Sequence, residues 1–189
     1  MRTALSISLL VTVTFLAAAS ASAQKLPKRI YIHGQAMGTS TQMGRQASIT
    51  IIIEELSTPA DQKILISAFQ EKGNEGLVNA LSKMSSKGRI AITGTLGGNL
   101  AYIRKFQMPD GSVKLRMITD RLIRFGEAWA DTRSSDYELS AVEIIISKQK
   151  GKSAGTLMPA ARLKVNKEGE TEIQLFNFPW KLVNVQVRG

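Results

Sequence analysis

Residues 100–118, with the sequence LAYIRKFQMPDGSVKLRMI, carry the pattern that decides the fold class. From Leu100 to Met108 the side chains alternate in the way that is typical of a β-strand. Pro109-Asp110-Gly111 is a strong turn signal, and the alternation resumes after it. One face of the second strand carries Val113, Leu115 and Met117, and the other carries Lys114, Arg116 and Ile118. The stretch therefore predicts a β-hairpin whose register is fixed by the turn.

Strand-like patterns also occur on both sides of this hairpin. They cover residues 49–53, 89–94, 139–147, 156–165, 170–178 and 182–187. Asn166-Lys167-Glu168-Gly169 predicts a second hairpin, and the glycine-rich residues 94–99 predict a further hairpin connection. Turn signals about ten residues apart are typical of antiparallel sandwiches and barrels. We therefore expect an α+β fold that is predominantly antiparallel β, with about seven or eight strands.

A pair of helices is predicted between the first strand and the rest of the sheet, near residues 59–85. Thr58 is a suitable N-cap, Pro59 suits the first helical position, and Asp61 complements the helix dipole. Apolar residues follow at helical spacing until Gly73, which we expect to end the first helix. Asn74 is then expected to cap the second. The residues expected in the core are Ile51, Ile53, Ile90, Ile92, Leu115, Met117, Val142, Ile144, Leu175 and Val185 of the sheet, with Leu65, Phe69, Leu77 and Leu81 of the helices facing it.

The N-terminus has the features of a secretory signal peptide over residues 1–23. An apolar run follows Arg2, and Ala21-Ser22-Ala23 supplies the small residues that signal peptidase accepts. The alternative is a membrane anchor, but the run of about 16 residues is shorter than a span requires. After cleavage we expect no transmembrane segment, a flexible lead-in over 24–45 with at most a short strand at 29–33, and a single β-rich domain over 46–189.

Composition excludes several chemistries. The chain of 189 residues has no cysteine and a single histidine, so Cys-based and His-rich metal sites cannot form within it, and we expect neither a metal nor a cofactor. The formal net charge is +10, and removal of the signal segment would leave +9. Such a charge favours anionic partners such as phospholipid head groups or envelope polymers. We expect no nucleic-acid partner for an exported protein.

The candidate binding site is the irregular segment 120–137, which we call the 120–137 loop. Carboxylates, arginines and aromatic rings coincide there, and long irregular connections often carry function. The candidate ligand-binding residues are Asp120, Arg121, Arg124, Glu127, Trp129, Asp136 and Tyr137. The alternative is structural: the acidic side chains only neutralise the arginines at the sheet edge. No spacing matches a catalytic template, so we assign no catalytic residue.

Three stretches resemble exported bacterial proteins of unknown function. They are residues 118–127 (ITDRLIRFGE), 135–139 (SDYEL) and 155–162 (GTLMPAAR). The resemblance covers roughly residues 46–189. It implies a bacterial protein of the envelope or the exterior, and it assigns no activity and no site residue.

These observations favour an exported, periplasmic or secreted, non-catalytic β-rich protein that holds a small apolar or amphipathic ligand between its sheet and helices. One alternative is a peripheral protein that binds anionic envelope surfaces. Another is a hydrolase that uses carboxylates of the 120–137 loop. An apolar cavity with dispersed carboxylates would favour the binding protein, and two carboxylates converging in a cleft would favour the enzyme. The sequence does not indicate an oligomeric state.

Overall fold

The computed structural model describes residues 24–121, 138–165, 171–175 and 178–189. Ten strands and one helix form the fold, with a short 3₁₀ turn at Ser40–Gln42. In chain order they are β1 (Gln24–Met37), β2 (Gln46–Leu56), α1 (Pro59–Lys83), β3 (Gly88–Ile92), β4 (Gly98–Leu100), β5 (Tyr102–Gln107), β6 (Val113–Thr119), β7 (Leu139–Ile146), β8 (Ala154–Val165), β9 (Thr171–Leu175) and β10 (Trp180–Arg188).

All ten strands belong to one antiparallel, nearly closed, barrel-like sheet. Its order is β4-β3-β2-β1-β10-β8-β7-β6-β5, and β9 pairs with β8 outside this path. The two ends of the path, β4 and β5, are consecutive in the chain and are separated only by Ala101. Ser57 links β2 to β5, because its N–H donates to the Ile103 carbonyl and its hydroxyl accepts from the Ile103 N–H, at 2.8 and 2.9 Å. The sheet thus curls until its two edges lie side by side.

Apolar side chains fill the space that the sheet encloses. A barrel of about eight strands is just wide enough for its inward side chains to pack the interior. The largest members, each with less than 2% of its surface exposed, are Ile32, Ile51, Ile53, Ile90, Leu100, Ile103, Met117, Val142, Ile144, Leu157 and Leu182.

A second apolar cluster lies on the outer face of the sheet, where α1 covers it. Tyr102 and Ile118 point outward from β5 and β6, because their neighbours Ile103 and Met117 point inward. The buried members of this cluster are Leu65, Leu77, Leu81, Ala101, Tyr102 and Leu139. The domain therefore has two layers of apolar packing that share the same strands.

The predicted hairpins and most of the predicted core are confirmed. Gln107 pairs with Val113 across the Pro109-Asp110-Gly111 turn, and Val165 pairs with Thr171 in the second hairpin. The predicted core residues that are buried are Ile51, Ile53, Leu65, Leu77, Leu81, Ile90, Leu115, Met117, Val142, Ile144 and Val185. Ile92, Leu175 and Phe69 are only partly buried.

The strand count differs from the expected seven or eight chiefly because of the N-terminal segment. Gln24–Met37 is a 14-residue strand between β2 and β10, whereas the sequence predicts a flexible lead-in there. Its inward positions include Ile32, Gly34 and Ala36, and the two small residues hide the apolar alternation. Burial of Ile32 and Ala36 comes from tertiary packing, which a local pattern does not show. The predicted signal segment 1–23 lies outside the described residues.

The expected pair of helices is a single kinked element. Lys72 and Gly73 leave helical φ/ψ, and Gly73 has φ +59°. The chain bends so far that a Cβ at Gly76 would lie 2.2 Å from the Ala68 carbonyl oxygen, so only glycine fits there. Asn74 does not serve as the expected cap. Its side chain donates to the Leu163 carbonyl and accepts from the Leu163 N–H, both at 2.7 Å. The Asn74 amide thus pairs with the β8 backbone in the way that the backbone of a neighbouring strand does.

Candidate functional site

The structure describes two residues of the predicted site, Asp120 and Arg121, at the end of β6. Arg121 Nε lies 3.3 Å from Asp120 Oδ1, and the two side chains are 66% and 14% exposed. The Thr119 hydroxyl donates to the Arg121 carbonyl. This ion pair lies at the end of β6, between the neighbouring strands β5 and β7. The other predicted site residues, Arg124, Glu127, Trp129, Asp136 and Tyr137, lie outside the described residues.

A groove of about 680 Å³ runs between α1 and the outer face of the sheet. Its floor is Tyr102, Ile118 and Leu163, one residue from each of three strands. Its wall is the side of α1 that faces the sheet, with the lining residues Gln62, Leu65, Ile66, Phe69, Gln70, Gly73 and Leu77. This volume lies within the range of sites that hold small molecules, and a mostly apolar lining is their usual composition.

The helix is held at both ends of the groove. At its start, the Thr58 hydroxyl accepts from the Asp61 N–H at 3.0 Å, and the Asp61 carboxylate accepts from the Thr58 N–H at 2.8 Å. This capping box fixes the first turn. At the kink, the two hydrogen bonds of Asn74 tie the chain to β8. The groove lies between these two attachments, and the buried side chains of Leu65 and Leu77 pack α1 onto the sheet along it.

A buried lysine strengthens the attachment at the start of α1. Lys87 is 4% exposed, and its Nζ lies 2.5 Å from Glu55 Oε1 and 3.9 Å from Asp61 Oδ2. Its third partner is the Ser85 hydroxyl, at 3.2 Å. Glu55 and Asp61 therefore converge on a cation that neutralises them, which is the arrangement of a structural anchor and not of an acid–base pair in an open cleft.

One end of the groove is polar and positively charged. Gln62, in the wall, accepts a hydrogen bond from the Arg104 guanidinium. Arg104 stands directly opposite Arg116 in the pairing of β5 and β6. Both guanidinium groups lie against the Phe106 ring, at 5.6 and 5.7 Å from its centroid. Arg104 thus adjoins the groove through Gln62 and shares the Phe106 ring with Arg116.

The floor contributes one titratable group, the Tyr102 hydroxyl. Desolvation by burial raises the pKa of Tyr102 above its ordinary value, while a hydrogen bond to Arg104 and the charge of Arg104 act in the opposite direction. The phenol therefore stays protonated at neutral pH. It offers a hydroxyl at the point where the apolar floor meets the charged end.

A ligand was expected between the sheet and the helices, but the sequence did not identify the residues that form this groove. The signal that could have found it is the pattern Tyr102, Arg104 and Phe106 on one face, opposite Ile118 on the next strand. Large aromatic and apolar side chains on the outside of a filled barrel require a second layer to cover them. The helix predicted earlier in the chain was the available layer.

Two features are absent from the part of the chain that the structure describes: a metal-ligating cluster and a membrane-spanning helix. In this part of the chain, no group of three or more His, Cys, Asp or Glu side chains is placed to hold a metal ion. No helix in the described ranges combines the length and the apolar character needed to cross a membrane.

Comparison with known proteins leaves the site to be argued from its own geometry. The chain matches no protein-family model, no curated protein and no solved structure.

Proposed function

We propose that this protein is an exported, non-catalytic binding protein that holds a small apolar or amphipathic ligand in the groove between α1 and the sheet. The observation that supports this proposal is the groove. It has the volume of a small-molecule site, an apolar floor and wall, and a polar group at one end.

The outer groove is a better ligand site than the barrel interior. Inward side chains such as Ile51, Ile103 and Val142 are fully buried against one another, so a ligand there would have to displace packed core. In the groove, Ile66 keeps 47% of its surface exposed. A ligand would cover apolar surface that the folded chain leaves in water, which favours binding.

Export is proposed from the sequence alone. The apolar run and the Ala21-Ser22-Ala23 site support cleavage after Ala23. N-terminal sequencing of the protein recovered from its host envelope or medium should begin at Gln24. Mature material that begins at Met1 would contradict export by a cleaved signal.

A matched pair of tryptophan variants tests the groove. Ile66 lines it, whereas Ile64, two residues earlier and 54% exposed, lines a separate depression on the other side of α1. We expect Ile66→Trp to fill the groove and weaken binding of the neutral dye Nile red by about tenfold, or ~1.4 kcal/mol. Ile64→Trp should leave the affinity unchanged.

Native mass spectrometry of protein purified from its own host supplies the second readout. We expect a retained small molecule in the wild type and in Ile64→Trp, and its loss in Ile66→Trp. Equal dye binding by all three proteins would remove the groove as the site. Binding that requires anionic vesicles and disappears with salt would instead favour a peripheral surface-binding protein.

A further inference from the structure

Arg104 is a guanidinium whose partners among the described residues are all uncharged. They are the Gln62 side chain and the Phe106 ring. In the described part of the chain, no carboxylate lies within ion-pair distance of it. A partly buried charge without a counterion is costly, and a bound anion would offset that cost.

The neighbouring arginine already has its counterion. Arg116 holds Glu143 through both Nη2 and Nε, each 2.6 Å from Glu143 Oε1. Since Arg104 and Arg116 are direct cross-strand partners, their like charges repel, and Glu143 neutralises only one of them. The pair therefore keeps one positive charge that no described side chain cancels at contact distance.

This charge adjoins the apolar groove. Gln62 contacts Arg104 and also lines the groove. Tyr102, in the floor of the groove, lies two residues before Arg104 and therefore on the same face of β5. A planar guanidinium fork suits a carboxylate, which accepts two parallel hydrogen bonds from it. The Tyr102 hydroxyl is a second donor beside the fork.

We propose that the groove takes an anionic single-chain amphiphile, with its carboxylate head on Arg104 and Tyr102 and its alkyl chain on Ile118, Leu163 and the wall of α1. This inference rests on the function proposed above and adds the chemical class of the ligand. It requires charge at one end of the ligand and apolar surface along the rest.

Two ligands of equal chain length, one charged and one neutral, distinguish the contribution of the ligand's charge to affinity from that of the apolar groove. Calorimetric titration with dodecanoate and with dodecanol, both kept below the concentrations at which they aggregate, measures each affinity. We expect the wild type to bind dodecanoate roughly tenfold or more tightly than dodecanol, because charge-assisted hydrogen bonds favour the carboxylate.

Three variants assign this preference to Arg104. Arg104→Gln should lower dodecanoate affinity to about that of dodecanol, and the loss of affinity for uncharged dodecanol should be much smaller. Gln62→Glu keeps the arginine but places a carboxylate against it, so it should remove the preference in the same way. Arg89→Gln removes an exposed charge from β3 and should change neither affinity. Gln62→Glu keeps the test valid if Arg104→Gln fails to fold.

Each outcome decides between the two proposals. If the wild type binds both ligands equally, the anionic class is wrong while the groove remains a binding site. If Arg104→Gln and Gln62→Glu keep the preference, Arg104 does not hold the head group and the proposal is wrong. If neither ligand nor Nile red binds, the proposed function is wrong as well.

Discussion

The barrel interior and the groove under α1 are built from the two faces of the same strands, yet they are packed differently. On β5, Ile103 points inward and is fully buried, while its neighbour Tyr102 points outward to the floor of the groove. The interior is close-packed and apolar, whereas the outer layer combines a smaller apolar cluster with polar attachments at its ends. We infer that the interior sets the stability of the fold and that the groove can change without unfolding the sheet.

The largest expected effect lies in the interior. Ile144→Ala removes a side chain that is fully buried in the barrel and should lower the free energy of unfolding by about 2–5 kcal/mol. Ile145→Ala, next to it on β7 but 44% exposed, should change the free energy by about 0.5 kcal/mol or less. Urea denaturation of both variants measures this difference. Equal losses would mean that the two faces of β7 are not distinct layers.

The second largest expected loss of stability concerns the ion pairs that Lys87 forms at the start of α1. Lys87→Met leaves the Glu55 and Asp61 carboxylates without their cation and should cost about 1–3 kcal/mol, less than a fully buried pair because both acids are partly exposed. Thermal or urea unfolding measures the loss. The double variant with Glu55→Gln should recover part of it, and simple additivity of the two losses would contradict the coupling.

The attachment at the kink should have a smaller effect on stability and a clear effect on the groove. Asn74→Ala removes both hydrogen bonds to the Leu163 backbone and should cost about 1–2 kcal/mol. Because this contact positions one end of the groove, Nile red affinity should fall as well. Asn79→Ala, at an exposed site on the same helix, serves as the control. A stability loss with unaltered dye binding would show that the kink does not shape the site.

The smallest expected effect is the pH dependence that Tyr102 contributes. Since burial raises its folded pKa, this residue adds stability below the unfolded value of 10.0, and the contribution disappears as pH rises through the folded pKa. Stability measured across alkaline pH should therefore fall more steeply in the wild type than in Tyr102→Phe. Parallel curves would indicate that the phenol is as solvated in the folded state as in the unfolded chain.

The sequence alone predicted those structural features that depend on residues close together in the chain. The 100–118 hairpin follows from alternation and its turn, and its pairing is confirmed from Tyr102–Ile118 to Gln107–Val113. β1 was not predicted because the small residues on its inward face conceal the apolar alternation. The helix was predicted to end at Gly73 because glycine occurs both at the ends of helices and at bends within them. The charged end of the groove depends on the Arg104–Arg116 register and on the placement of α1, which only the assembled sheet determines.

The position of β1 between β2 and β10 has a consequence for how the chain folds. Tyr31 pairs with Arg188, so a strand near the start of the described chain cannot complete its hydrogen bonds until the last strand arrives. Contacts of such sequence separation slow folding, because the intervening chain must be ordered before they form. This delay is compatible with the export that we propose, since the barrel cannot close until β10 has been made.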